Sequence, residues 1–419
     1  MVGRKGMVGR KSMFIGCAAA AALAGAGSAA LAQSTITLFG QTYTVQRFDY
    51  SNDFQVPNPY GTPATIPFIE AEGTVFRDGK LLLSADDLID FANAPDNMVI
   101  EVNLDGYPGA ITGLSYSRTI LFSDQFVAGY DLNPTGITVN TGATGTGAGG
   151  NLLVQNGGGL IFAFSLQAGS LGQRLNAPST QNCNLQPNPV LCSIDLTSRN
   201  TNAEDIAYFP GSSTLPAAFY VINQDDVAVE VWGVDGGFIR SFPVGNRPGQ
   251  PQLNAPKGLT FLPESATLPP ALRGRGGVFL VAFDDLYPAL RAFDAAGNEV
   301  ALEIMTTDGT ATGPSRLDVT GCPRTLFLES LNFDATTGRL FLTNQGSLTF
   351  CTYLWVLTPE AAPPSCRADL NNDGELTFDD IQLFVQLYNA SDARADFNND
   401  QEWTFDDIQL FIQLYNAGC

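Results

Sequence analysis

One unit of sequence recurs through most of this chain and limits what the chain can fold into. The unit is a short apolar run that ends in a turn of Asp, Asn or Gln, and its copies lie at residues 79–88, 118–127, 150–160, 218–227, 277–286 and 338–348. Several copies are preceded by another apolar run, such as GTVFRDG at 73–79, and followed by a third, such as VIEVNLDG at 99–106. Runs this short, without a sustained helical period, predict β-strands.

A repeat of strand, turn, strand, acidic turn and strand is typical of one blade of a β-propeller. The six copies therefore predict an all-β domain over residues 33–360, folded as a β-propeller of roughly six blades. The segment TITLFGQTYTV at 35–45 precedes the first copy. We expect it to supply the strand that closes the ring against the last blade.

Acidic residues stand at the start of several predicted innermost strands, where they are expected to lie near the central channel. They are Glu72, the pair Glu204 and Asp205, and Glu329. Glu72 with the glycine after it resembles the first metal ligand of calcium-dependent lactonase-type propellers, and the acid-then-strand pattern resembles phytase-like propellers. The resemblance implies a cation that polarises a substrate in the channel mouth; alternatively, the acids satisfy backbone donors. Lys257 departs from the pattern, because an acid would be needed there.

The first 32 residues are ordered as in a signal peptide. Four basic residues precede an uncharged, alanine-rich run that ends at Ala32, which predicts a leader over residues 1–32. The residues before Cys17 also resemble a lipoprotein box, although most of the apolar run follows that cysteine. No later segment reaches the ~20 uncharged apolar residues that span a bilayer. We therefore expect a protein without a membrane span that is secreted, extracellular or at the cell surface.

The overall charge restricts the partners of the chain. Removal of the four basic residues in 1–32 takes the formal net charge from −21 to −25. Nucleic acid and anionic lipid are poor partners for such a protein, whereas cations are good ones. Histidine is absent, which excludes Ser-His-Asp and Cys-His mechanisms and histidine metal ligands. The sequence assigns no catalytic residue.

Six of the seven cysteines follow the predicted leader. An even number in an oxidising compartment predicts three disulfides. Six cysteines allow fifteen pairings, and nearness in sequence favours Cys183–Cys192, Cys322–Cys351 and Cys366–Cys419.

Two nearly identical acidic segments close the chain, ADLNNDGELTFDD from Ala368 and ADFNNDQEWTFDD 27 residues later. In each, oxygen-bearing side chains recur at positions 1, 3, 5, 7, 9 and 12 of a loop, which is the ligand pattern of an EF-hand-type calcium site. The predicted Ca²⁺ ligands are Asp369, Asn371, Asp373, Glu375, Thr377 and Asp380 in the first loop and Asp396, Asn398, Asp400, Glu402, Thr404 and Asp407 in the second. Gln401 replaces the glycine that the first loop has at position 6, which predicts weaker binding by the second loop.

Both loops lie within residues 366–419, and this segment resembles a type I dockerin of the kind that opens with Cys and ends in Gly-Cys. The resemblance implies a small all-α, calcium-binding module that docks onto a cohesin-like domain of a scaffold or surface protein. Dockerins often accompany polysaccharide-degrading enzymes. Residues 361–365, AAPPS, form a predicted linker. Cys419 is expected to close a clasp with Cys366 or, alternatively, to attach the chain covalently to the cell envelope.

The segments after the two loops predict helices that are apolar around most of their circumference. Between Ile381 and Asn389 the polar positions are Gln382, Gln386 and Asn389. This apolar face is wider than one small core requires. We expect part of it to pack the two helices together, and any exposed remainder to mark a partner site.

Three hypotheses about function follow from these predictions. The propeller binds a ligand that the sequence does not identify, and the dockerin fixes it to a partner; or the propeller is a metal-dependent hydrolase without histidine; or the propeller is a spacer. Three carboxylates converging at metal-binding distance in the channel mouth would favour hydrolysis, and a polar mouth without such convergence would favour binding.

Overall fold

The computed structural model describes residues 34–50, 55–57, 65–67, 71–84, 98–121, 134–140, 151–165, 181–183, 190–192, 194–245, 253–284, 289–305, 328–344, 352–360, 367–371, 376–398, 400 and 402–417. The chain divides into two units, residues 1–32 and 33–419. The first unit, the predicted leader, lies outside the described residues, as does the predicted linker. No helix of the described part is long and apolar enough to cross a membrane.

Of the described strands, four come before the first blade, and four more form it. Before it come β1 (Ser34–Leu38), β2 (Gln41–Asp49) and a short hairpin of β3 (Gln55–Pro57) and β4 (Thr65–Pro67). Blade one contains β5 (Gly73–Arg77), β6 (Lys80–Ser84), β7 (Met98–Asp105) and β8 (Gly113–Leu121).

Blade two contains β9 (Pro134–Asn140), β10 (Asn151–Asn156), β11 (Leu160–Ser165) and, after a hairpin of β12 (Gln181–Cys183) and β13 (Val190–Cys192), the strand β14 (Ile194–Asp195). Blade three contains β15 (Ala203–Phe209), β16 (Ala218–Asn223), β17 (Ala228–Gly233) and β18 (Phe238–Pro243). Blade four contains β19 (Pro256–Leu262), β20 (Val278–Phe283), β21 (Ala289–Asp294) and β22 (Glu299–Ile304), with a 3-10 turn at Pro270–Leu272. Blade five contains β23 (Leu328–Asp334), β24 (Arg339–Asn344) and β25 (Tyr353–Pro359).

Neighbouring innermost strands are in contact all the way round. The strand β5 lies against β9, β9 against β15, β15 against β19, β19 against β23, and β23 against β5. The ring is closed by the N-terminal strand, because β2 pairs antiparallel with β25, with Val45 opposite Leu357, and β1 pairs with β2. This confirms the prediction that residues 35–45 close the ring.

The prediction of six blades is wrong, because the described residues form five. Five of the six copies contain the second strand of a blade, namely β6, β10, β16, β20 and β24. The sixth copy, RTILFSDQFV, begins with residues 118–121, which are the end of β8, the outermost strand of blade one. An outer strand and an inner strand carry the same short apolar run, so the run alone does not reveal a strand's place in the blade.

Apolar clusters fill the interfaces between neighbouring blades. Between blades three and four, for example, the rings of Tyr220 and Phe279 stack with centroids 3.8 Å apart. A middle strand such as β16 or β20 is therefore buried along its whole length. Because both faces of each sheet are covered, these strands read as continuous apolar runs instead of alternating ones.

The C-terminal segment contains two helices, α1 (Phe378–Asn389) and α2 (Phe405–Ala417), with a 3-10 turn at Ala393–Ala395 between them. Thr377 caps α1: its hydroxyl accepts a hydrogen bond from the N–H of Asp379, and Asp380 completes a capping box. The small core contains Ala368, Phe384, Leu387, Ala395, Phe397 and Phe411. Two helices after two acidic loops agree with the prediction of a small α module.

The hairpin of β12 and β13 carries the two described cysteines of the predicted pairs. Cys183 lies opposite Val190, and Cys192 lies opposite Gln181. The two cysteines thus take diagonal positions of the ladder and do not face each other directly. The other four cysteines of the predicted pairs lie outside the described residues, so the disulfides stay predictions.

Candidate metal centre and channel mouth

The carboxylate at position 12 closes each acidic loop. In the first loop, the N–H groups of Leu370 and Asn371 donate to Oδ1 of Asp380 at 2.9 and 3.3 Å, and the N–H of Thr377 donates to Oδ2 at 2.9 Å. Asp380 is fully buried. One carboxylate thus joins the start of the loop, at Leu370 and Asn371, to its end at Thr377.

The second loop repeats this arrangement with the equivalent residues. The N–H groups of Phe397 and Asn398 donate to Oδ1 of Asp407 at 2.7 and 3.2 Å, and the N–H of Thr404 donates to Oδ2 at 2.9 Å. Burial would raise the pKa of Asp407, but these backbone donors outweigh it and hold the pKa below its ordinary value. The carboxylate is therefore charged at neutral pH, as a cation ligand must be.

The other predicted ligands of the second loop contact the loop backbone. The N–H of Asp400 donates to Oδ1 of Asp396 at 3.1 Å and to Oδ1 of Asn398 at 3.0 Å, and the N–H of Glu402 donates to Oδ1 of Asp400 at 2.8 Å. In the first loop Asp369 and Asn371 are described, whereas Asp373 and Glu375 lie outside the described residues. Among the described residues, no three acidic or cysteine side chains stand together at metal-binding separation.

The position-9 threonines have a structural role in addition to the predicted one. The hydroxyl of Thr377 accepts from the N–H of Asp379 at 3.3 Å, and the hydroxyl of Thr404 accepts from the N–H of Asp406 at 3.4 Å. Both hydroxyls therefore lie at a helix start, where they would reach a cation through a water, as position 9 often does. The donor set as a whole fits calcium, because every predicted ligand offers oxygen and both position-12 carboxylates are already oriented.

At the channel mouth, three innermost strands begin with an irregularity. The register shifts between Ala203 and Ile206 in β15, between Pro256 and Leu259 in β19, and between Leu328 and Ser330 in β23. A bulge leaves a residue out of the ladder and redirects its side chain. The residues in these shifts are Glu204 with Asp205, Lys257 with Gly258, and Glu329, which places every one of the expected acids except Glu72 in a bulge.

Lys257 is the centre of this charged group. Its Nζ lies 2.9 Å from Oε2 of Glu204 and 3.7 Å from Oε2 of Glu329, and all three glutamates, including Glu72, are buried. Burial would lower the pKa of Lys257, but the charges of Glu329, Glu204 and Glu72 outweigh it and raise the pKa well above its ordinary value. Two of these carboxylates, those of Glu204 and Glu329, thus contact an ammonium group that the chain itself supplies. Lys257, the residue that departs from the acidic pattern, therefore balances part of the negative charge at the channel mouth.

Asp205 follows the alternative prediction, in which acids satisfy backbone donors. Its Oδ1 accepts from the N–H of Ile206 and its Oδ2 accepts from the N–H of Leu259, both at 2.8 Å. Burial raises the pKa of Asp205 well above its ordinary value, although these two donors oppose the shift. The side chain therefore ties β15 to β19.

Glycines let the innermost strands approach each other beside the mouth. A Cβ on Gly136 would lie 2.7 Å from Cα and 2.8 Å from Oδ1 of Asp205, and a Cβ on Gly258 would lie 2.9 Å from Cα of Ser330. All three distances are shorter than the 3.0 Å that real Cβ contacts keep. Sequence analysis missed this feature, because a glycine needed for close approach looks like one needed for a turn.

At the other ends of the innermost strands the channel widens into a cavity of about 380 Å³, here called the funnel. Each innermost strand contributes to its wall, with Phe76, Thr138, Tyr208, Phe261 and Asn332. Asn332 accepts from the N–H of Phe76 at 3.0 Å and donates to Oγ1 of Thr260 at 3.2 Å, and so joins β23 to β5 and β19. The wall mixes aromatic rings with hydroxyl and amide groups, which suits a small polar ligand.

Comparison with known proteins finds no family model and no curated protein that matches the chain. Similar solved structures include virginiamycin B lyase from Staphylococcus aureus (12% identity, TM-score 0.36, 76% of this chain and 100% of that chain). They also include glutaminyl cyclase from Myxococcus xanthus (14%, 0.38, 70% and 92%) and an auxiliary nutrient binding protein from Bacteroides thetaiotaomicron (10%, 0.37, 78% and 76%). At these identities and TM-scores, none of the activities in those names extends to this chain.

Proposed function

We propose that this chain is an exported binding protein with a calcium-dependent docking module at its C-terminus. In this proposal residues 366–419 dock onto a cohesin-like domain of a scaffold or cell-surface protein, and the propeller presents a ligand site. The observation that carries the proposal is a pair of exposed apolar side chains on each helix beside a predicted calcium loop.

These exposed pairs are equivalent in the two repeats. Phe378 and Val385 on α1 are 65% and 51% exposed, and Phe405 and Ile412 on α2 are 65% and 49% exposed. Each pair is spaced by seven residues, so its members lie on one side of their helix. Large apolar side chains left in water at matching positions are characteristic of a partner surface.

Calcium would act by fixing the loops from which the helices start. In the first loop the ion would be held by Asp369, Asn371, Asp373 and Asp380, and in the second by Asp396, Asn398, Asp400 and Asp407. It would compensate the negative charge that gathers in each loop. Because Asp380 and Asp407 also belong to the helix starts, removing the ion would loosen the two apolar pairs together with the loops.

The channel mouth supports ligand binding over metal-dependent hydrolysis. Glu204 and Glu329 contact the ammonium group of Lys257, which lies where the hydrolase hypothesis would place a metal ion. The funnel offers an open, mixed polar and aromatic wall at the other end of the channel.

The proposal is tested by measuring association of the full chain with a panel of purified cohesin domains, in calcium and in excess chelator. The informative variant is Val385→Ala with Ile412→Ala. Its matched control is Val234→Ala with Ile239→Ala, because those two side chains lie on the propeller and are 37% and 47% exposed. We expect calcium-dependent binding that the first pair weakens and the control pair leaves intact. Equal effects of both pairs, or no binding to any cohesin in calcium, would refute the proposal.

A further inference from the structure

A cavity of about 400 Å³ opens on blade one beside the funnel, and Arg77 and Asp78 line both cavities. Here it is called the cleft. Its wall also includes Lys80 on β6, Glu101 on β7 and Arg118 on β8. Three cationic side chains therefore meet in one cavity of a chain whose formal net charge is −21.

Glu101 positions two of these cations. Its Oε1 accepts from Nζ of Lys80 at 2.7 Å and from the hydroxyl of Ser117 at 2.8 Å, and its Oε2 accepts from Nε and Nη2 of Arg118 at 3.1 and 3.0 Å. Glu101 is itself buried. Both oxygens of the carboxylate are thus engaged, and the two cationic side chains are held side by side.

The same two cations keep N–H donors that no group of the described residues accepts from. Arg118 has five N–H donors and Lys80 has three. In the part of the chain that the structure describes, two donors of Arg118 go to Glu101, and two of Lys80 go to Glu101 and Ser117. The side chains of Lys80 and Arg118 are 40% and 34% exposed. Both side chains line the cleft and are partly exposed, so a ligand in the cleft can contact them.

The charges of the cleft do not cancel. Glu101 lies directly opposite Arg118 in the ladder. One cation is enough to balance the charge of this one carboxylate. Lys80 adds a second cation to the same carboxylate, whereas Arg77 is paired with Asp78 at 3.1 Å. Among the described residues of its wall, the cleft therefore has one positive charge in excess. It also has planar guanidinium donors that match the geometry of an oxyanion.

We propose that the cleft binds a compact oxyanion, that is, the carboxylate, sulfate or phosphate group of a ligand held by the propeller. Arg118 and Lys80 donate hydrogen bonds to the anion, and Glu101 is a positioning residue that orients both. Asp78, at the rim that the cleft shares with the funnel, opposes the anion electrostatically. The ligand class follows from the donors alone and does not depend on the docking function of the C-terminal module.

The test is calorimetric titration of the full chain with sodium sulfate and, separately, sodium acetate, against sodium chloride of equal ionic strength. We expect saturable binding of at least one of the two anions. Tighter binding of sulfate would indicate a tetrahedral ligand group, and tighter binding of acetate would indicate a planar carboxylate. Arg118→Gln should weaken it about tenfold or more, because hydrogen bonds to charged groups are lost. Asp78→Asn should tighten it. Arg275→Gln, which removes an exposed cation from blade four, should leave it unchanged.

Two results would overturn the proposal. One is the absence of saturable binding by the natural chain beyond that of chloride. The other is an equal loss in Arg118→Gln and Arg275→Gln, which would indicate diffuse attraction of anions. Should Arg118→Gln fail to fold, the Nε resonance of Arg118 in the natural chain replaces it: the resonance should shift on saturation with the oxyanion, and an unmoved resonance would equally contradict the assignment.

Discussion

Phe384 and Phe411 occupy the same position in two segments that repeat after 27 residues, and their rings stack with centroids 4.1 Å apart and planes 1° apart. Stacking of a residue on its own counterpart is what an approximate two-fold relation between the two repeats would produce, with the axis passing between the rings. Phe378 and Phe405, which are also counterparts, are equally exposed. The duplication therefore gives the C-terminal segment one shared core and two equivalent outer faces.

The stacked pair should carry much of the stability of this segment. Phe384→Ala and Phe411→Ala should each destabilise the helices by about 3–5 kcal/mol, because each removes a large ring from a small core. Val385→Ala, at an exposed position of the same helix, should cost less than about 0.5 kcal/mol. Thermal melts followed by the helical circular dichroism signal measure all three. If either Phe variant melted like the Val385 control, the shared core would be disproved.

The two outer faces should substitute for each other in docking. Val385→Ala alone and Ile412→Ala alone should each retain most of the affinity for a cohesin domain, because the other face remains intact. The variant that carries both changes should lose affinity by about tenfold or more. Surface-bound cohesin with the full chain in solution gives the three dissociation constants. A single variant as weak as the double variant would contradict equivalence of the faces.

Lys257 should stabilise the propeller through the buried glutamates around it. Lys257→Met should cost about 3–5 kcal/mol at neutral pH, because it removes the ammonium group that the buried carboxylates of Glu204 and Glu329 both contact. Adding Glu204→Gln to this variant should recover part of the loss. Lys80→Met is the matched control and should cost no more than about 1 kcal/mol, because that ion pair is partly exposed. Chemical denaturation measures these values; equal losses at Lys257 and Lys80 would contradict the account.

The contribution of Lys257 to the stability of the folded protein should depend on pH. Its pKa is raised in the folded state by Glu329 and Glu204 despite its burial, so the folded protein holds the proton more tightly than the unfolded chain. The stabilisation is fully present below a pH of about 10, the ordinary range of lysine, and is lost as pH rises toward the folded value. The difference in stability between the natural chain and Lys257→Met should therefore shrink only above that pH. A difference in stability that shrank between pH 7 and 9 would argue against a raised pKa of Lys257 in the folded state.

Close approach of the innermost strands should make substitution of Gly136 destabilising. Gly136→Ala would place a Cβ against Cα and Oδ1 of Asp205, and we expect a loss of about 1–3 kcal/mol from overpacking. Gly113→Ala is the control, because the nearest atom to its added Cβ is 3.6 Å away. Urea unfolding of the two variants should separate them clearly. Equal stability would show that β9 and β15 can move apart at no cost.

Much of the propeller could be predicted from the sequence because its strands are local patterns. The apolar runs at 79–88 and 277–286 contain β6 and β20, and the segment at 35–45 does close the ring. The blade number could not be predicted in the same way. The run at 118–121 has the composition of an inner strand, but it pairs at the outer edge of blade one.

The channel mouth shows why a site is harder to predict than a strand. The sequence predicts Glu204 and Glu329 near the channel and treats Lys257 only as a departure from the acidic pattern, whereas the structure brings all three together. Lys257 and Glu204 are 53 residues apart, and their contact depends on how neighbouring blades are placed. The available signal was a basic residue at a repeat position that is acidic in three other blades, since equivalent positions converge at the centre of a ring.

Calcium titration calorimetry of the full chain tests the central claim most directly, with the double variant Asp369→Ala and Asp396→Ala as the control. The account predicts two unequal binding events, a gain in helical circular dichroism on binding, and the loss of both events in the double variant. Gln401→Gly should strengthen the weaker event, because a glycine at position 6 removes a cost of about 1 kcal/mol. Absence of binding heat in the natural chain, or binding that persists unchanged in the double variant, would contradict a calcium-dependent docking module.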